Sequence, residues 1–299
     1  MKKRTFTLFT GFILLLVLVA AATGVFYQSA GAHISFETAR GEHATLQGYG
    51  LYYYDPASVA REGIIWDVID LCLALPLSLI ALVMVWRGSL RGKLVLGGML
   101  FYFFYKYMQY AVLLAFNPLF LVYIAIFALS AVAFFVNLGG IKVTRLPLHI
   151  SSHFPRWLFI VFTLVMSAAL LVLWLGRIIP YTLAGRFPDE LAGSTTLVTQ
   201  AFDLGIVVPL LISTAVMLWQ RSSWGYFLGG VSLTFGFVMC ITLPAWIAVP
   251  LIQAGQLNLF EAVPFLLLCL IGLFVAGRYF WSIEEKEMVH SPGEMAVSL

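Results

Sequence analysis

The chain has 299 residues, 62% of them hydrophobic and only 10% charged, with a formal net charge of +3. A soluble domain carries about 25% charged residues, so no aqueous core could absorb this much apolar sequence and the bilayer must be the solvent. The small net charge and the lack of long basic runs exclude a nucleic-acid partner.

Apolar stretches near 6–28, 63–86, 94–116, 118–137, 157–176, 200–220, 224–249 and 260–281 each reach the ~20 residues that cross a bilayer. Helix is the default for all of them, because backbone groups in lipid must be bonded within their own segment. The first stretch, with Ala30-Gly31-Ala32 behind it, also reads as a secretory signal. Its apolar run is longer than the ~7–15 residues of a signal core, so a retained helix is predicted. Cleavage would leave seven spans and an outer N-terminus. The loop 29–62 is the largest soluble piece, and Tyr52-Tyr53-Tyr54 within it suits a membrane interface. Cys72, Cys240 and Cys269 sit in apolar stretches without a CxxC pattern and read as buried small hydrophobes. The tail 282–299 is polar and reads as disordered.

Basic residues set the orientation. Lys2, Lys3, Arg4, Arg87, Arg91, Lys93, Lys142, Arg145, Arg156, Arg221, Arg278 and Lys286 fall on one side, 12 of the 17, which is therefore cytoplasmic. Both termini are predicted to lie there, in a multi-pass protein of the cell membrane surrounded by lipid.

The chain also repeats. Asp70-Leu-Cys-Leu-Ala-Leu-Pro76 with Val83-Met84-Val-Trp86 recurs as Asp203-Leu-Gly-Ile-Val-Val-Pro209 with Val216-Met217-Leu-Trp219, and Leu96-Gly97-Gly98 recurs as Leu228-Gly229-Gly230. Seven of the 17 positions over 70–86 are identical, among them Asp, Pro and Trp, which are uncommon in apolar segments. The predicted fold is an all-α integral membrane protein of eight transmembrane helices in two parallel four-helix repeats, 1–137 and 138–281. An even number of spans per repeat implies an axis along the membrane normal and a site between the halves.

Ionisable groups within spans cost about 2.5–3.5 kcal/mol each at the helix centre and usually face a cavity or a partner. Asp67 and Asp70 share one helical face; Gln200 and Asp203 hold the same spacing in the second repeat, and Glu261 opens the last span. Lys106 lies mid-span among aromatics, on a stripe with Tyr102, Gln109 and Tyr110. A lysine stem reaches several Å outward, which predicts a Lys106–Asp70 pair joined by Asp67. Val238 stands at the position matching Lys106, so the second repeat has no equivalent cation. The competing reading makes the acids first-turn residues favoured by the helix dipole. Pro76 and Pro209 free a carbonyl one turn back, near Cys72 and Gly205.

No Walker, GxSxG or HExxH pattern occurs, and the five histidines fall outside the spans. His149 and His153, and His33, His43 and Glu42, read as surface polarity, so neither a metal nor a cofactor is predicted. Arg87-Gly-Ser-Leu-Arg-Gly92, the aromatic helix after it, Asn117-Pro-Leu-Phe-Leu-Val-Tyr123 and Thr196-Leu-Val-Thr-Gln-Ala-Phe-Asp203 together resemble an uncharacterised group of bacterial and archaeal multi-pass membrane proteins. That resemblance implies a membrane protein and brings no activity. The leading expectation is a small-molecule or ion transporter, or a ligand-binding membrane protein, with an outward-facing site of Asp67, Asp70, Lys106, Gln109, Gln200, Asp203 and Glu261. The alternatives are an intramembrane enzyme acting on a lipid or isoprenoid at the outer leaflet, and a non-catalytic assembly subunit.

Overall fold

The computed structural model describes residues 2–27, 29–38, 40–188, 191, 193–253 and 259–285. Its long helices are α1 Lys3–Phe26, α2 Ala57–Trp86, α3 Leu90–Leu113, α4 Phe120–Gly139, α5 Arg156–Ala184, α6 Val198–Trp219, α7 Ser223–Gln253 and α8 Leu259–Trp281. Among the described residues six helices, α1, α2, α4, α5, α6 and α7, are long and apolar enough to cross a membrane, which makes this a mostly helical membrane protein. Large apolar side chains such as Leu79, Ile80 and Val83 of α2 and Val161, Val165 and Val172 of α5 stay exposed, as lipid-facing residues do.

α3 owes its lower apolarity to its place. It is the most enclosed helix, with Tyr102, Phe103, Tyr105, Lys106, Tyr107, Gln109 and Tyr110 all buried. It packs against α2, α4 and α7, while α1 closes a ring of four by touching α2 and α4. The later helices repeat that pattern: α6 touches α5 and α7, and α8 touches α7 and α5. α3 and α7 meet through glycines, which let backbones approach closely. A methyl at Gly98 would strike Thr234, and one at Gly230 would press on Leu94. The two contacts advance together along both helices, so α3 and α7 run in the same direction.

Two helices change pitch. α2 widens to a π turn over Asp70–Ala74 and α6 over Asp203–Val207, and in each the α ladder resumes one residue before a proline, Pro76 or Pro209. A proline cannot bond the carbonyl one turn back and its ring crowds it; a π turn absorbs the misfit and often marks a functional position.

Several expectations need correction. The polar loop 29–62 contains an antiparallel hairpin, β1 Ile34–Glu37 and β2 His43–Leu46, in the register Ile34↔Leu46. Its backbone runs on to α2 through Gln47 N–H to Asp55 O at 2.8 Å. α2 begins at Ala57, not 63, because Arg61 and Glu62 extend its first turns rather than a loop. Cys72 is exposed on the outer face of α2, whereas Cys240 and Cys269 are buried. The tail is not free from its start: Ser151 N–H donates to Ser282 O at 2.9 Å, and Arg91 Nε donates to Ile283 O at 2.9 Å. Residues 286–299 lie outside the described part.

Glu285 ends this contact by capping α3. Its carboxylate accepts the Ser89 hydroxyl at 2.6 Å and the N–H groups of Leu90 and Arg91 at 2.9 Å each. Partial burial pushes this carboxyl up, but those donors and the Arg91 charge outweigh it and hold the group below the usual glutamate range. Glu285→Ala is expected to cost about 1 kcal/mol, the worth of a helix cap, measured by thermal melting in detergent at pH 7. In the wild type the same contribution should fade as pH falls through the depressed carboxyl pKa.

Candidate functional site

The first polar cluster forms where α3 crosses α2. Lys106 Nζ donates to Asp70 Oδ2 at 2.7 Å and to Asp67 Oδ1 at 3.0 Å. All three side chains are at most 1% exposed. The i, i+3 spacing places both carboxylates on one face of α2, nearly three turns in from Ala57. A first-turn dipole role therefore does not apply to them.

Tyrosines complete the shell. Tyr102 donates to Asp70 Oδ1 at 2.8 Å and Tyr107 to Asp70 Oδ2 at 2.9 Å. Tyr52 donates to Asp67 Oδ2, and Tyr110 shares its proton between Gly63 O at 2.8 Å and Asp67 Oδ1 at 3.1 Å. The ammonium also sits 4.6 Å from the Tyr110 ring centroid and 5.0 Å from that of Tyr107, within cation–π range. Every carboxyl oxygen of the pair thus faces a donor. Two carboxyl groups share one ammonium and four tyrosine hydroxyls.

A second cluster lies on the next face of α3. Tyr105 donates to Asp203 Oδ1, and the Trp174 indole N–H of α5 donates to Asp203 Oδ2 at 2.8 Å. Asp203 is buried, and no cation pairs with it among the described residues. Adjacent residues of α3, Tyr105 and Lys106, therefore serve acids on α6 and α2 respectively.

The structure brings Asp67, Asp70 and Lys106 together and sets the other candidates apart. Gln109 turns away from the lysine and accepts the Thr199 hydroxyl at 3.3 Å, on the Asp203 side. The helical stripe that grouped it with Lys106 was too coarse, because the ~60° between positions i and i+3 is enough to face a different neighbour. Gln200 is half-buried one turn before Asp203. Glu261 belongs to α8, with its side chain outside the described part. Tyr52 is no interface residue: it is buried and bonded to Asp67, while Tyr54 keeps the exposed position. Trp174 and Tyr105 carried no sequence signal, since their partner is distant along the chain. Trp66, stacked on Tyr102 and 5.8 Å from the Lys106 ammonium, was likewise hidden.

Among the described residues no three His, Cys, Asp or Glu side chains gather as a metal would require. His149 Nδ1 lies 3.2 Å from Glu284 O, and Glu42 pairs with Arg40 at 3.2 Å. No family model, curated protein or solved structure matches the chain.

Proposed function

We propose that this chain is an ion or small-molecule transporter, or a ligand-binding membrane protein, whose polar site is the Asp67–Asp70–Lys106 cluster with Asp203 beside it. The observation that carries the reading is the charge balance: two buried carboxylates share one buried ammonium. An excess negative charge at membrane depth is costly unless a proton or cation shares it, and such groups commonly form ion and proton pathways. The species handled is therefore a cation, or a solute coupled to a proton.

The eight-span, two-repeat arrangement belongs to the same proposal. It is supported by the matching rings of helices, the same-direction α3–α7 crossing and the two π turns at equivalent acids. α3 counts as a span because its polar residues face protein rather than lipid. The Lys3 ammonium over Trp86 and the Glu285 cap on α3 support both described ends lying on one side of the membrane, taken as cytoplasmic from the basic residues. Gly24 seated against Asp67 supports retention of α1.

The test uses liposomes loaded with a proton-, sodium- or potassium-sensitive dye and given the matching ion gradient. Wild-type vesicles are expected to dissipate at least one gradient faster than protein-free vesicles. Asp70→Asn, folded by its melting curve, should lose that flux. Wild-type vesicles as tight as empty ones to all three ions would sink the proposal.

A further inference from the structure

Between the hairpin, the α3–α4 link and residues 193–198 lies a cavity of about 240 Å³. Phe36, Leu46, Tyr54 and Leu113 give it apolar and aromatic walls, and Thr195 and Thr196 add hydroxyls. Asp55 is also part of the wall, although the residue is only 1% exposed. One of its oxygens accepts the Ala115 N–H at 2.7 Å; the other, Oδ2, is buried and has no hydrogen-bond partner among the described residues. A buried carboxyl oxygen without a donor is a costly arrangement. The nearby cation, Arg40, is spent elsewhere: it pairs with Glu42 and donates to Ser194 O at 3.0 Å.

We infer that this cavity is a binding site for a small organic ammonium ion, separate from the Lys106 cluster, with Asp55 Oδ2 accepting from the ammonium and the aromatic walls holding its apolar body. The volume lies below the ~300–1,000 Å³ of drug-sized pockets, so the occupant is small. An ammonium supplies both the missing donor and the missing charge, and aromatic residues such as Tyr54 and Phe36 in the lining are of a type that attracts cations. A free metal ion would find one available carboxylate oxygen and two hydroxyls, a poor set beside the six to eight oxygens of a calcium site. Among the described residues, the other titratable or charged groups near Asp55 and the cavity include Tyr54, Tyr123, His33 on the Leu46 carbonyl, and the Arg40–Glu42 pair. Burial pushes the Asp55 carboxyl up to about 7, against the opposing Ala115 N–H, so the site is best tested at pH 8.

The experiment titrates the full chain in detergent with benzylammonium chloride by calorimetry, with benzyl alcohol as the neutral isostere. Saturable binding of the ammonium and none of the alcohol is expected. Asp55→Asn, which keeps the Ala115 bond, should weaken it about tenfold or more. Thr196→Phe, which fills the cavity from the opposite wall, should abolish it. Absence of saturable binding to the wild type, or equal affinity in Asp55→Asn, overturns the inference. Neither outcome bears on ion flux through the Lys106 cluster, so the two readings fail separately.

Discussion

Lys106→Met is expected to destabilise the protein by about 3–5 kcal/mol, the cost of breaking a buried ion pair from one side. The substitution keeps most of the apolar stem, so little volume is lost. What remains is two carboxylates on one face of α2, within reach of the same vanished ammonium. They must take up protons or repel each other. The tyrosine hydroxyls can still donate, but no cation balances them. Melting curves in detergent would show the loss, and an unchanged melting temperature would refute the account. The triple variant Asp67→Asn, Asp70→Asn, Lys106→Met separates charge from shape. Replacing a whole buried ion cluster with neutral groups is often neutral or stabilising, so it should recover most of the stability. It should also carry no ion flux. Stability regained with flux lost would mean that the charges serve activity and that the fold bears their cost.

Gly24→Val should be nearly as damaging, by about 3 kcal/mol or more. A methyl group on Gly24 would fall within the van der Waals envelope of Asp67 Oδ2 and close to the Tyr52 hydroxyl. α1 would have to back away, opening the seam that carries Ile13 and Val17 and breaking the Tyr52–Asp67 bond. Gly11 on the same helix supplies the control, because nothing lies within 4 Å of a methyl there. Gly11→Ala should be neutral or slightly stabilising, as alanine favours helix over glycine by about 1 kcal/mol. Equal melting temperatures for the two variants would contradict this packing.

These expectations rest on features of unequal legibility. The pairing of Lys106 with Asp70 could be read from depth and stem length, because a mid-span lysine has few places to go. The second carboxylate joined it through simple i, i+3 geometry. The tyrosine shell could not be read this way. Tyr52 comes from a polar loop, and its neighbours Tyr53 and Tyr54 share its identity but not its burial. Trp174 meets Asp203 only once α5 and α6 are packed. Arg61 and Glu62 misled in the other direction: their charges suggested loop, yet helix continues through them because their neighbours Val59, Ala60 and Ile64 pack into the core. The hairpin was missed because two four-residue strands offer little hydrophobic alternation.

The cap on α3 has a consequence for the order of assembly. Glu285 and the Leu90 N–H it accepts lie 195 residues apart. During synthesis, α3 can be threaded into lipid with only its local cap, the Ser89 hydroxyl on the Gly92 N–H at 3.0 Å, long before Glu285 exists. The N–H groups of Leu90 and Arg91 must wait on water or headgroups until the chain through Glu285 has emerged. The helix that holds the lysine cluster thus completes its N-terminal cap with a residue made after all eight long helices. Truncating the chain just before Glu285 would leave all eight long helices present and the central one unlatched.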